Sequence, residues 1–149
     1  MHVGWPSCIT SSGESQPPSG VIEMNLKVLV IDDDLFILSG VRKVLQRDYE
    51  TKVADSARIG KKIAESFAPD IVFVDLILGE DSGLDLLEEL RALLPAADLI
   101  AMTGVPGTEI RSAAYACGAD WFVGKEELAL CCAILDRIVA SRRSVRLQA

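Results

Sequence analysis

Short apolar runs alternate along the chain with longer stretches in which apolar residues recur at helical spacing. The runs are rich in Val, Ile and Phe and cover 28–31, 50–54, 71–74, 99–102 and 121–123. Continuous β-branched runs of this length are typical of strands buried in a parallel sheet. The helical stretches cover 35–47, 57–67, 84–93, 108–117 and 127–141. This alternation predicts an α/β fold.

The chain has the size of one folded domain. Its 149 residues, 50% of them hydrophobic, suffice for a single core. Residues 1–24 are rich in Ser, Gly and Pro and show no apolar period, so we interpret them as a flexible N-terminal extension. The predicted domain covers 25–141, and 142–149 is predicted to be a C-terminal tail.

Acidic residues stand where two of the predicted strands end. Asp32, Asp33 and Asp34 follow directly on the first run, and Asp75 follows the run 71–74. One such aspartate would be an ordinary turn or capping residue, but three in succession exceed what capping needs. Ligands bind at the carboxyl ends of strands in open α/β sheets, and a cation relieves the repulsion between crowded carboxylates. We therefore expect these acids to hold a hard divalent ion, Mg²⁺ before any softer metal.

A hydroxyl and an ammonium group occur at two further strand ends. Thr103 ends the run 99–102, and Lys125 follows the run 121–123 after one glycine. Separately, a threonine in a strand and a lysine at a surface are ordinary. Together with carboxylates and Mg²⁺, they are the groups that a phosphoryl transfer to a carboxylate requires. The joint pattern predicts aspartyl-phosphate chemistry.

Four segments resemble the receiver domains of two-component response regulators. They are VLVIDDD (28–34), VDLILGEDSG (74–83), AMTG (101–104) and GADWFVGK (118–125). The resemblance implies a flavodoxin-like, chemotaxis-type fold over 25–141, with a doubly wound five-stranded parallel sheet of order 2-1-3-4-5 and five helices. It also implies a signalling switch that is phosphorylated by a sensor histidine kinase or a phosphotransfer protein. Such a domain catalyses only its own phosphorylation and dephosphorylation.

The resemblance also implies a role for each site residue. Asp75 would be the phosphoacceptor, and Asp32 and Asp33 would form the acidic pocket for Mg²⁺. Asp33, Asp75 and the backbone carbonyl of Ile77 would be direct ligands, whereas Asp32 would act through a metal-bound water.

Other residues would contact the phosphoryl group or respond to it. Thr103 and Lys125 would contact the phosphoryl oxygens, and Phe122 falls at the aromatic switch position of the family. Ile77 and Val105 occupy the positions that line the approach of water to the phosphoryl group, where neither side chain can hold a water.

The chain departs from the family pattern in the loops beside the site. Gly79 and Glu126 replace prolines, and Gly104 replaces an alanine. Gly79 is expected to loosen its loop, since glycine is less restricted than proline. The loss of the proline at 126 puts in doubt a cis peptide after Lys125.

Two other functions remain as alternatives. A haloacid-dehalogenase-type phosphohydrolase would use Asp32 as nucleophile and Asp34 as acid/base. It also needs a further pair of acids at a later strand end after the lysine, whereas Asp136 stands alone within a predicted helix. A flavodoxin-like flavin carrier would need a phosphate-binding loop after the first strand, where three negative charges would repel a phosphate.

Charge and composition limit the partners. The net charge of −7 argues against direct binding of nucleic acid. No stretch is long and apolar enough to cross a membrane, and no secretory signal is evident, so we expect a cytoplasmic protein. The single histidine, His2, lies in the N-terminal extension, and the four cysteines lack metal-binding spacing, which favours buried apolar roles for them.

The last predicted helix has two apolar sides. One side is expected to pack on the sheet and consists of Leu128, Cys131, Cys132, Leu135, Ile138 and Val139. The other side carries Leu130, Ala133 and Ile134. An exposed apolar side predicts a contact surface for a homodimer or a target protein.

Overall fold

Five parallel strands form the central sheet. The structure is a computed structural model that describes residues 25–105 and 107–148, with side chains described for 25–105, 107–128 and 131–142. In this part of the chain the strands lie in the order β2-β1-β3-β6-β7. Their bounds are β1 Lys27–Ile31, β2 Glu50–Ala54, β3 Ile71–Asp75, β6 Asp98–Thr103 and β7 Trp121–Gly124. Strands β4 Ile77–Leu78 and β5 Asp81–Ser82 lie outside this sheet, so β6 and β7 are its fourth and fifth strands along the chain. The predicted α/β fold and its strand order 2-1-3-4-5 are therefore confirmed.

Helices cover both faces of the sheet. They are α1 Leu35–Leu45, α2 Ala57–Phe67, α3 Gly83–Leu93, α4 Thr108–Ala116 and α5 Cys131–Gln148, with a 3₁₀ helix Lys125–Leu130 before the last. Three of the α-helices begin at a side-chain cap, because Asp34, Ser56 and Ser82 each accept a hydrogen bond from a backbone N–H of the first turn. The capping carboxylate of Asp34 is thereby committed to the start of α1.

The core consists of two apolar clusters, one on each face of the sheet. Val28 and Val30 contribute to the cluster under α1 and α5, and Leu29 and Ile31 contribute to the cluster under α2, α3 and α4. This division follows from the alternation of side chains along a strand. Because both faces are covered, the polar residues at the carboxyl ends of the strands lie in a crevice between the two layers.

The last helix extends beyond its predicted end at 141 and continues to Gln148. Residues 142–148, predicted to be a tail, thus continue the helix. Arg142 fastens it to the opposite end of the sheet: its Nε donates to Asp98 Oδ2 at 3.0 Å, and its Nη2 donates to the carbonyls of Asp70 at 2.8 Å and Ala96 at 3.2 Å. Segment 1–24 lies outside the described residues.

Among the described side chains, the last helix does not carry the exposed apolar side that was predicted. Most residues predicted to face the sheet are buried, and Val139 packs against the same cluster. Ile134, however, is half-buried and packs there too, so its assignment to an exposed side was wrong. The reason is helical spacing, since Ile134 lies three residues after Cys131 and four before Ile138. Ala133 is exposed, and the side chain of Leu130 lies outside the described part.

A short hairpin follows β3 and leads into α3. Strands β4 Ile77–Leu78 and β5 Asp81–Ser82 pair antiparallel. Directly after the hairpin, Gly83 packs closely against the backbone at the end of β3. A Cβ at this position would lie 2.3 Å from the carbonyl oxygen of Asp75, so only glycine fits here without a shift of the backbone. The amino end of α3 is therefore in direct contact with the predicted phosphoacceptor residue.

Two further expectations concern membranes and backbone geometry. None of the described helices combines the length and apolar character needed to span a bilayer. The described residues contain no cis peptide bond, including at the step from Lys125 to Glu126.

Candidate functional site

Three aspartates meet at the carboxyl edge of the sheet. Asp32 and Asp33 follow β1, and Asp75 ends the neighbouring strand β3. One carboxylate oxygen from each lies within 4.8 Å of the others. Asp32 and Asp75 are buried, whereas Asp33 is exposed. The strand ends therefore bring together the acids that the sequence placed there.

Lys125 neutralises two of these acids. Its Nζ lies 2.9 Å from Asp75 Oδ2 and 2.9 Å from Asp32 Oδ2. Burial alone would lower the pKa of Lys125, but its hydrogen bonds to Asp32 and Asp75 outweigh this effect and raise the pKa. The lysine is therefore a permanent cation held against the predicted phosphoacceptor.

Asp32 is the most deeply buried acid of the cluster. Burial is the main cause that raises its pKa to about 6, and the negative charge of Asp75 adds to it, while hydrogen bonds from Asp34 N–H and Lys125 oppose the shift. Its Oδ1 accepts from Asp34 N at 2.8 Å. Its buried Oδ2 forms an ion pair with Lys125 but accepts no hydrogen bond from any residue that the structure describes. A buried carboxylate oxygen that can still accept a hydrogen bond fits a site that takes a hydrated cation.

Asp33 is oriented by the hairpin after β3. Its Oδ2 accepts from Gly79 N at 3.0 Å, and Gly79 has a φ of 61°. A proline could neither donate this bond nor adopt this φ. The loop that was expected to be loosened by Gly79 is thus tied to the acidic cluster at this residue.

Thr103 and Phe122 lie on one face of the sheet. Phe122 pairs with Ala101, which is two residues before Thr103 on β6, so the side chains of all three share a face. The buried hydroxyl of Thr103 accepts from Val105 N at 3.0 Å and donates to Val105 O at 3.2 Å. In this arrangement the hydroxyl is held by its own loop and not by the aspartates.

A model of the response regulator receiver domain matches residues 28–131. The chain belongs to this family. Two curated relatives illustrate the range of similarity. The receiver is 32% identical over 98 residues to the photosynthetic apparatus regulatory protein RegA of Rhodobacter capsulatus, covering 66% of this chain and 53% of RegA. It is 28% identical over 105 residues to the chemotaxis protein CheY of Halobacterium salinarum, covering 68% of this chain and 86% of CheY.

The receiver spans about half the length of the RegA relatives that it matches.

Solved structures agree on the fold. A response regulator from Burkholderia pseudomallei with a phosphorylated aspartic acid, calcium ion and citrate has 27% identity and a TM-score of 0.67, over 81% of this chain and 74% of that one. A CheY-like receiver from Methanospirillum hungatei has a TM-score of 0.74 at 24% identity, over 85% of this chain and 100% of that one.

Within this receiver, Asp34 stands apart from the other acids. Its Oδ1 accepts from the N–H groups of Phe36 and Ile37 at 2.9 and 3.4 Å, so it caps α1. The phosphohydrolase alternative, which needs Asp34 as acid/base, loses support because that carboxylate is engaged elsewhere. An aspartate just before an apolar helical stretch is itself a signal for an N-cap.

The sequence analysis named Ile77 and Val105 beside the site but missed Leu35 and Phe36, which complete an apolar rim around the acidic cluster. Four large apolar side chains on the segments that follow β1, β3 and β6 are strongly exposed. Leu35 and Phe36 in the first turn of α1 are 66% and 86% exposed, Ile77 in β4 is 59% exposed, and Val105 after β6 is 71% exposed. Their exposure could not be inferred from local pattern, because it depends on how three separate segments of the chain fold. Concentrated exposure of this kind marks a surface for contact with another molecule.

Proposed function

We propose that this receiver domain accepts a phosphoryl group on Asp75 and that the modification switches a protein-interaction surface. The observation that carries the proposal is the contact of Lys125 Nζ with Asp75 Oδ2 at 2.9 Å, made while the same ammonium group pairs with Asp32. A fixed cation beside a buried carboxylate is placed to stabilise negative charge that arrives on that carboxylate.

The proposed cofactor is Mg²⁺. Asp33, Asp75 and the carbonyl oxygen of Ile77 would hold it directly, and Asp32 would hold it through a water. All of these are oxygen donors, which suits a hard cation, and the unsatisfied Asp32 Oδ2 supports the assignment. When bound, Mg²⁺ neutralises negative charge on the phosphoryl oxygens.

In the reaction, an oxygen of the Asp75 carboxylate attacks phosphorus. The bond from phosphorus to the donor atom breaks, and the donor leaves with the electron pair of that bond. Lys125 keeps its proton and neutralises one phosphoryl oxygen. Thr103 exchanges its two bonds to Val105 for a hydrogen bond donated to another phosphoryl oxygen. The protein carries out this transfer to itself and acts on no separate substrate.

The proposed donor is a histidine kinase or a phosphotransfer protein. The apolar rim supports a protein donor, because a protein can cover exposed Phe36 and Leu35 while it presents its phosphorylated side chain to Asp75. The B. pseudomallei neighbour carries a phosphorylated aspartic acid and a divalent ion, which agrees with this chemistry.

The test is mass spectrometry after incubation with Mg²⁺ and acetyl phosphate. A single phosphoryl group is expected on Asp75, with none in EDTA and none in Asp75→Asn. The matched control is Asp34→Asn, since asparagine also caps a helix well and should leave phosphorylation unchanged. Phosphate on Asp32, together with loss of uptake in Asp34→Asn, would instead favour the phosphohydrolase alternative.

A further inference from the structure

Arg111 in helix α4 lies over the ring of Phe122. Its guanidinium carbon is 5.3 Å from the ring centroid, within the distance at which a cation is attracted to an aromatic face. Among the side chains of 25–105, 107–128 and 131–142, none forms a salt bridge with this guanidinium. The aromatic ring is therefore its principal contact in this part of the chain.

Phe122 lies between the apolar core and solvent. It is half-buried and packs against the apolar cluster under α2, α3 and α4. The side chain of Thr103 lies on the same face, next along β6 from the partner of Phe122. If Thr103 moves toward Asp75, as the proposed function requires, space on this face opens for the ring to turn inward.

The solvent side of the ring borders a cleft. The cleft has a volume of about 400 Å³ and lies between α4 and the end of β7. Arg111 and Phe122 form part of one wall, and Glu126 and Glu127 also line it. Both glutamates are exposed, and Glu127 Oε1 already accepts a hydrogen bond from Gly124 N at 3.0 Å, which leaves Glu126 as the carboxylate for a new partner. The cleft thus offers a carboxylate to a guanidinium that leaves the ring.

We propose that Arg111 is a positioning residue that holds Phe122 in its half-exposed orientation until Asp75 is phosphorylated. The inference rests on the proposed function of Asp75. When the ring turns inward, the cation–π contact ends, and Arg111 pairs with Glu126 across the cleft. Arg111 therefore sets the fraction of protein that is already in the switched state, because it stabilises one of two states only.

The test uses beryllofluoride, a phosphoryl mimic, in the presence of Mg²⁺. Arg111→Gln should bind it about two- to fivefold more tightly than wild type, which is the change expected from losing one exposed cation–π contact. Arg111→Lys should lie closer to wild type, since it keeps the positive charge. With fluorinated phenylalanine, the resonance of Phe122 should shift toward its beryllofluoride-bound position in unliganded Arg111→Gln.

A matched control is the cation–π contact between Arg137 of α5 and Trp121, which precedes Phe122 on β7. Arg137 lies 5.6 Å from the ring centroid of Trp121, but Trp121 packs against the opposite apolar cluster. Arg137→Gln should therefore leave the affinity for beryllofluoride unchanged. In a Phe122→Leu background, Arg111→Gln should have no effect, because the ring on which it acts is absent.

Two results would overturn the inference alone: equal affinity of Arg111→Gln and wild type, or the same gain with and without the Phe122 ring. Circular dichroism of each variant verifies that the fold is retained. Failure of the wild type to bind beryllofluoride at all would overturn the proposed function, and the inference with it. The two failures are thus distinguished within one experiment.

Discussion

The backbone N–H of Gly79 donates to Asp33 Oδ2 over 3.0 Å, although the two residues are 46 positions apart in the chain. The bond joins the hairpin after β3 to the end of β1 and orients the one exposed acid of the cluster. It depends on a left-handed backbone at Gly79, with φ at 61°. The identity of residue 79 should therefore affect the proposed Mg²⁺ site directly.

Gly79→Pro is expected to weaken Mg²⁺ binding by about tenfold, the equivalent of one hydrogen bond of roughly 1.4 kcal/mol. Proline lacks the donor and cannot adopt the required φ. Gly79→Asn is the control, since asparagine keeps the N–H and tolerates the left-handed region. Isothermal titration calorimetry measures both. Equal affinity in the proline variant would mean that the bond does not orient Asp33.

Removal of Lys125 should destabilise the metal-free protein. Lys125→Ala leaves Asp32 and Asp75 as uncompensated buried carboxylates, for which a loss of about 3 kcal/mol is expected. Mg²⁺ should restore part of this loss. Lys61→Ala breaks a pair with Glu89 whose side chains are 40% and 55% exposed, so its effect should stay within about 1 kcal/mol. Urea unfolding in EDTA and in Mg²⁺ compares the two variants.

The contribution of Asp32 to stability in EDTA should fall as the pH rises from about 4 to about 6. Burial raises the pKa of Asp32 from 3.8 to about 6, so over this range the folded protein retains a proton that the unfolded chain has released. Each rise in pH then favours the unfolded state, by at most about 3 kcal/mol in total. Asp32→Asn lacks this contribution. The stability difference between wild type and this variant, measured by urea unfolding at several pH values, should decrease accordingly, and a constant difference would contradict the assignment.

The aspartyl-phosphate is expected to be long-lived. Ile77 and Val105 are exposed beside Asp75 but offer no polar group to orient an attacking water. Ile77→Asn combined with Val105→Glu should accelerate decay by about tenfold, as one added transition-state hydrogen bond would. Leu93→Asn, an exposed apolar residue on α3, serves as control. Unchanged or slower decay in the double variant would show that these positions do not control the lifetime.

Exposed Phe36 should matter for a protein donor and not for a small one. Phe36→Ser removes most of the apolar area at the start of α1 but leaves the acidic cluster intact, so phosphorylation by acetyl phosphate should be unchanged. Transfer from a phosphorylated histidine protein should fall by about tenfold, since an aromatic residue central to an interface typically contributes more than 1 kcal/mol. Tyr115→Ser, at a residue 43% exposed on α4, is the control. Equal loss with both donors would point to a damaged site.

The meeting of Asp32, Asp75, Thr103 and Lys125 near one edge of the sheet was predictable, because each follows an apolar strand and parallel strands end at the same edge. The position of the C-terminal part of the last helix was not predictable in this way. Arg142 is held by Asp98 and by the carbonyl of Asp70, which are distant in sequence, and no local pattern indicates such a contact.

Two other errors have local causes. Ile134 was assigned to the exposed side although its helical spacing from Cys131 and Ile138 places it beside residues that face the sheet. The hairpin after β3 has strands of two residues each, too short to produce an apolar alternation.

Gly83 makes the proposed phosphoacceptor, Asp75, sensitive to a residue that lies outside the acidic cluster. Even a methyl group at this position would lie 2.3 Å from the Asp75 carbonyl oxygen and 2.4 Å from Leu76 Cα, both of which are backbone atoms that cannot rotate away. A variant library scored by phosphorylation would therefore mark Gly83 as essential, as it would mark Asp75. The cause would be displacement of the carboxyl end of β3. Even a phosphoryl donor bound in the correct orientation could not restore phosphorylation.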